Sequence, residues 1–423
     1  MGESKFSKQK MLTLLVLMLV SGTMYKVYFL MDAFYIQMQD FMGLSHTQIG
    51  FIYGLAGWVS QFGFLAAAYF SDKFSKRKMM AFALIANGIT GGVISTYPQF
   101  SVLVVLFYLC AVFTDMMCWP TMLKTIRLLG TKEEQGRMFG FLETGRGLVD
   151  TVVSFSALAI SVAMGNNAFG FRCGILFFSG MSILAGVLAY LTVEDDDNDS
   201  AQADESEEKK SEGGLKDIFK DKGVWLVSIN IFTVYCLYSG LKYMVPFLKE
   251  VYDIPVALAS AYGIINMYGL RMVGGPIGGI VSDKVTHSAA KFIGIMFVIS
   301  GIALAMYTVL PYQSMNVYVL MGISLIISAF IFCMRAIFFA PMDEIRVPRK
   351  FTGAAMSLGS FVGYLPGTFI AIIYGSILDS NPGVIGYKKV FMTMVAIAAA
   401  GVLISIALMK EIRKRQAAEK AAE

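Results

Sequence analysis

Twelve apolar stretches dominate this 423-residue chain, near 11–39, 46–70, 79–97, 101–123, 138–163, 171–192, 224–248, 255–281, 290–310, 315–340, 352–378 and 387–409. At a rise of about 1.5 Å per residue, most are long enough to cross a hydrocarbon layer of about 30 Å. A chain in lipid must satisfy its own backbone hydrogen bonds, so segments of this length read as helices. The expected fold class is an all-α membrane protein with twelve transmembrane helices. A mean hydropathy of +0.64 with only 15% charged residues excludes an ordinary soluble domain.

Basic residues set the expected orientation, because cytoplasmic loops retain Lys and Arg. With both ends inside, 26 of the 35 basic residues fall in inner segments and four in outer loops. Both termini are therefore expected in the cytoplasm, with the protein spanning the cytoplasmic (inner) membrane. The net charge of +5 reflects this loop bias and gives no sign of a nucleic-acid face. The first segment has a basic start but runs on without a small-residue cleavage site, and reads as a retained helix. Cys110, Cys118, Cys173, Cys236 and Cys333 are scattered in or beside spans and read as small packing residues.

The only long polar stretch, Glu194 to Lys222, opens on EDDDND and is too charged to form a core. It separates an expected six-helix bundle at 1–193 from a second at 223–410, with a cytoplasmic linker at 194–222 and a tail at 411–423. The halves echo each other. AYFSDKFSKRK follows the second span and GGIVSDKVTHSAAK the eighth, while Pro120-Thr-Met-Leu-Lys-Thr-Ile-Arg parallels Pro341-Met-Asp-Glu-Ile-Arg. Duplicated six-helix halves with a site near the midplane are one plan of secondary transporters.

Five basic residues, Lys26, Arg146, Lys242, Arg271 and Arg335, lie inside the apolar stretches with the acids Asp32, Asp115, Glu143 and Asp150. Each costs roughly 2.5–3.5 kcal/mol at a helix centre on insertion scales, so such charges are expected to face one another or a polar passage. Glu143, Arg146 and Asp150 share one helical face, which lets Arg146 touch both acids. Protonating one acid would release guanidinium donors toward an anion, which nominates Glu143 and Asp150 for proton coupling. Two further pairs follow from the repeat: Asp32 with Lys242 toward the outer side, and Asp115 with Arg335 toward the inner side. Each is expected to close a gate when its side is shut. Pro341 and Pro366 are expected to kink their spans.

The loop after span two resembles the Gly-x-x-x-Asp-Arg/Lys-x-Gly-x-Arg/Lys-Arg/Lys signature of the major facilitator superfamily. Asp72, Lys73, Arg77 and Lys78 match it, whereas Ala68 and Ser75 stand where glycines are usual; the second copy keeps Gly279, Asp283 and Lys284. More narrowly, TMYKVYFLMDAFYIQMQ, FGFLETGRGLVD, AYGIINMYGL and AIFFAPMDEIR are similar to the YihN-type inner-membrane permeases. The resemblance implies two pseudo-symmetric six-helix halves, a monomer, and a cavity lined by the first, fourth, seventh and tenth helices with the fifth and eighth approaching. It would bring Lys26, Arg146 and Arg271 together, with Tyr25, Tyr28, Trp119, Asn266 and Tyr268 as neighbours for a substrate. Asp72 and Asp283 would latch the loops and have a conformational role.

Three cations suit a carboxylate, phosphate ester or sulfonate. The expected function is a secondary active transporter of a small organic anion, coupled to protons, needing neither cofactor nor metal, with membrane lipid as its surroundings. A neutral sugar or polyol permease and a non-transporting membrane sensor are the alternatives. An enzyme is disfavoured, since HExxH, GxSxG, P-loop and dinucleotide motifs are all missing.

Overall fold

The computed structural model describes residues 8–73, 75–129, 135–194, 218–347 and 351–420, without the side chains of 64–73, 135–137, 313, 352 and 418–420. Most of the acidic linker and the side chain of Asp72 therefore lie outside the described residues. Within them every regular element is a helix: α1 (Lys8–Thr23), α2 (Met31–Met42), α3 (His46–Lys73), α4 (Lys76–Ile94), α5 (Phe100–Leu129), α6 (Gln135–Ala163), α7 (Ala168–Thr192), α8 (Lys222–Tyr252), α9 (Val256–Thr286), α10 (Ala289–Val309), α11 (Val317–Ile337), α12 (Gly353–Ser380) and α13 (Val384–Lys420).

Nine of these helices, α5 to α13, are long and apolar enough among the described residues to cross a membrane. The expected twelve are not all reached by that measure, for three local reasons. The first stretch is two shorter helices of 16 and 12 residues. Part of α3 lacks described side chains, and α4 opens on Lys76, Arg77 and Lys78, which lowers its hydropathy.

The interruption between α1 and α2 is the principal departure from the expected unbroken first helix. Turn hydrogen bonds carry the chain through Met24–Leu30, including Lys26 N to the Thr23 carbonyl at 3.1 Å and Asp32 N to the Phe29 carbonyl at 3.0 Å. A break at this depth is tolerated only where protein satisfies the released backbone groups. Asn87 Nδ2 donates to the Met24 carbonyl at 3.0 Å and to Ser182 Oγ at 3.2 Å, while the Met31 N–H donates to Tyr53 Oη at 3.0 Å.

Similar irregularities recur at other charged positions. Asp115 lies in a wide π-helical turn, Val112–Cys118, inside α5, and Lys242 in a tight turn, Leu241–Tyr243, inside α8. In α9 one π turn spans Ile265–Gly269 just before Arg271, and a second, Ser282–Thr286, carries Asp283. Pro366 starts the second part of α12 after a break at Tyr364–Leu365, and Pro341 starts a one-turn helix, Pro341–Glu344, beyond α11.

The residues group into two compact units. The first holds α1 to α7 together with Ile254–Gly269, which includes the N-terminal part of α9; the second holds α8, α9 from Leu270 onward, and α10 to α13. In the first unit α1 and α6 meet at a seam of small residues, as expected where lipid supplies no hydrophobic driving force and close packing must. A Cβ on Gly22 would lie 2.6 Å from Val149, and one on Gly145 only 2.4 Å from Met18. Ile254–Gly269 joins this unit through polar contact as well: Gln37 Nε2 donates to Ser260 Oγ at 2.9 Å.

In the second unit two carboxylates cap helices. Glu344 accepts from Ser288 Oγ at 2.7 Å and from the Ala289 and Ala290 amides, at the N-terminus of α10. Asp221 accepts from the Gly223 and Val224 amides at 2.7 and 3.1 Å and pairs with Arg415 Nη2 at 2.6 Å. Burial alone would raise the Asp221 pKa, but the Arg415 hydrogen bond and the capping amides outweigh it and hold the carboxyl below its usual range.

If Asn87 and Tyr53 support the break in the first span, Asn87→Leu leaves the Met24 carbonyl without its donor. The expected cost is about 1–2 kcal/mol in detergent-based unfolding, with a smaller effect for Tyr53→Phe. Wild-type midpoints in both variants would show that the break does not depend on these hydrogen bonds.

Candidate functional site

Gly22 brings α1 against α6 at Val149, one residue before Asp150, and the chain then leaves helical geometry and turns Lys26 inward. Lys26 Nζ lies 2.7 Å from Asp150 Oδ1, with 1% and 6% of the respective side chains exposed. The ammonium also donates to Ser154 Oγ at 3.0 Å and sits 3.5 Å from the centroid of the Tyr268 ring. Ser154 Oγ in turn donates to the Asp150 backbone carbonyl at 2.7 Å. Carboxylate, hydroxyl and aromatic face thus surround an ammonium that burial would otherwise penalise.

Arg146 lies farther from both acids of its own helix. Its Nε is 3.8 Å from Asp150 Oδ2 and its Nη1 3.6 Å from Glu143 Oε1, both beyond ordinary hydrogen-bond length. The guanidinium carbon lies 5.1 Å from the Trp119 ring and 5.4 Å from that of Tyr25. Tyr25 Oη donates to Asp115 Oδ1 at 2.7 Å, and Ser60 Oγ donates to Asp115 Oδ2. On the other side of Lys26, Tyr268 Oη reaches Asp32 Oδ2 at 3.5 Å. One polar chain therefore runs from Asp32 through Tyr268, Lys26, Asp150, Arg146 and Tyr25 to Asp115 and Ser60, all within the first unit.

Of the residues nominated from the sequence, Lys26, Arg146, Asp150, Tyr25, Trp119 and Tyr268 come together here, and Asp115 and Asp32 join through their tyrosines. The helical spacing put both acids on Arg146, whereas the short contact of Asp150 is to Lys26, and the Glu143 side chain is 55% exposed. Tyr28 packs in an aromatic group with Phe29 and Tyr53, at centroid distances of 4.3 and 6.1 Å. Asn266 is fully buried in the same wide turn as Tyr268.

Arg271, Arg335 and Lys242 belong to the second unit, where Arg335 lies 4.3 Å over the Tyr238 ring. Asp283 is exposed. Ser60, Ser154 and Tyr238 are contributors that sequence reading missed, since a hydroxyl or an aromatic in an apolar span carries no signal of its partner. Among the described residues, no three His, Cys, Asp or Glu side chains converge as a metal ion would require.

The sequence profile of the Major Facilitator Superfamily matches residues 13–371. The chain belongs to the Major Facilitator Superfamily. It is 44% identical to the inner membrane protein YihN of Escherichia coli (strain K12), over 99% of both chains. It is also 27% identical to the inner membrane protein YqcE of the same organism, over 97% of both. Among solved structures, a bacterial homolog of the human lysosomal transporter Spinster, inward-facing and unoccupied, superposes with a TM-score of 0.76 at 15% identity, covering 98% of this chain and 99% of that one. The nucleoside transporter NupG gives 0.68 at 13% identity, over 96% and 99%. At these identities the two structures speak to the fold alone. Family membership and the apolar helices together make this a multi-pass membrane protein of a transporter superfamily.

The site implies a stability signature. Lys26→Met strands Asp150 as a buried charge and is expected to cost about 3–5 kcal/mol in unfolding assays, whereas Lys26→Met with Asp150→Asn recovers most of that loss. Additive losses in the double variant would show that the two residues do not act as a pair.

Proposed function

We propose that the protein is a proton-coupled transporter of a small organic anion, a carboxylate, phosphate ester or sulfonate, working by alternating access. The single supporting observation is that two buried cations, Lys26 from the break between α1 and α2 and Arg146 from α6, face one acid, Asp150. With Asp150 ionised, its charge compensates the ammonium and, more weakly, the guanidinium. A proton on Asp150 cancels that compensation and leaves two cationic donors for a substrate oxyanion, so proton and anion binding favour each other. Return of the carboxylate competes with the anion and favours its release. Glu143, the outlying acid, is a second candidate for the proton.

In this reading the protein lies in the inner membrane with both termini in the cytoplasm, as the basic-residue asymmetry supports. The linker at 194–222 is cytoplasmic and the protein acts as a monomer. Asp32 and Lys242 serve the outer gate, and Asp72 and Asp283 latch the loops.

Uptake into proteoliposomes of labelled gluconate, glycerol phosphate, isethionate and glucose, with and without an inward proton gradient, tests this reading. At least one anion is expected to accumulate and to be stimulated by the gradient. Arg146→Ala is expected to lower that uptake roughly tenfold or more, the scale of one charged hydrogen-bonding group. Asp150→Asn is expected to abolish the stimulation. Glucose uptake that persists in Arg146→Ala, with no anion transported by the wild type, would replace the anion by a neutral polyol.

A further inference from the structure

The second unit contains a cation whose surroundings differ from those of Lys26 and Arg146. Arg335, near the end of α11, lies with its guanidinium carbon 4.3 Å from the centroid of the Tyr238 ring. Its Nε is buried and has no hydrogen-bond partner among the described residues. Within its own unit, among the described residues, no carboxylate forms an ion pair with it. A buried guanidinium N–H without an acceptor is costly and calls for an explanation.

Aromatic rings enclose this group. Tyr238 meets Phe332 edge-on at 5.6 Å and Tyr235 at 5.5 Å, and Tyr235 meets Tyr364 at 5.1 Å. The Tyr364 hydroxyl lies within electrostatic reach of both Arg335 and Arg271. Tyr364 itself sits at the break in α12, so its position is set by an irregular turn. Arg335 of α11 thus lies against a tyrosine of α8 that belongs to a ring cluster reaching α12.

We propose that Arg335, with Arg271 and the ring cluster of Tyr235, Tyr238 and Tyr364, is where the substrate's oxyanion first docks. The proposal rests on the anion-transporter reading and assigns Arg335 to substrate in place of the gate role expected from its repeat relation to Asp115. A guanidinium Nε–H lacking an acceptor matches an oxygen of a carboxylate, phosphate or sulfonate, and the tyrosines match a compact organic body carrying hydroxyl groups. Lys26 and Arg146 are compensated by Asp150 until it takes a proton, whereas Arg335 lacks that compensation. Anion docking on the second unit therefore does not wait for the proton, and the first unit supplies the coupling.

Equilibrium binding of gluconate, glycerol phosphate, isethionate and glucose to purified full-length protein, combined with transport at saturating substrate, tests this. Arg335→Gln is expected to raise the Kd for the bound anion at least tenfold, and Arg335→Lys, which keeps charge but not the fork, to give an intermediate loss. A gate residue would leave Kd within about twofold and lower the maximal rate. That result, in either variant, overturns the docking role and leaves the anion reading standing. Should Arg335→Gln fail to fold, as judged by its unfolding temperature, Arg335→Lys decides alone: wild-type affinity overturns the proposal and a severalfold loss supports it. Wild-type protein that binds glucose or nothing overturns both readings together.

Discussion

The contact on which the rest of the first unit depends is the ion pair between Lys26 and Asp150. Two charges withdrawn from water are costly, and their attraction offsets that cost only when remaining donors are also satisfied. Ser154 and the face of Tyr268 do this for the ammonium. The pair in turn dictates the backbone: Lys26 reaches Asp150 from a segment that has left helical geometry, and Gly22 allows α1 close enough to α6. Asn87 and Tyr53 then satisfy the backbone groups that the break releases.

A buried pair of this kind is weak support for stability, since apolar residues of similar volume often serve as well. Its value lies in being conditional. One proton on Asp150 changes the electrostatics of two cations at once, because both Lys26 and Arg146 lie within ion-pair distance of its carboxylate, at 2.7 and 3.8 Å.

Fold class and the charged residues themselves were legible in the sequence, because a hydrophobic stretch with an embedded Lys or Arg stands out from its surroundings. Asp150 and Arg146 were linked correctly by helical spacing, since α6 is regular through them. Lys26 was seen as a buried cation but not as the partner of Asp150, because that contact is between helices and depends on a break that periodicity does not register. The same holds for Asp115 with Tyr25, where a wide turn in α5 sets the direction of the carboxylate. Pro366 did mark an interruption, and Pro246, four residues after Lys242, marks the tight turn there by removing the donor to the Lys242 carbonyl, whereas the wide turn at Tyr268 contains no proline.

Tyr268, which covers the Lys26 ammonium, and Arg271, which neighbours Tyr364, are joined by only two intervening residues of one helix, Gly269 and Leu270. The first of these belongs with one compact unit and the second with the other. A Cβ on Gly269 would meet nothing closer than the Ile265 side chain at 3.7 Å. One uninterrupted helix thus carries both the ring that covers the Lys26 ammonium and, three residues on, Arg271.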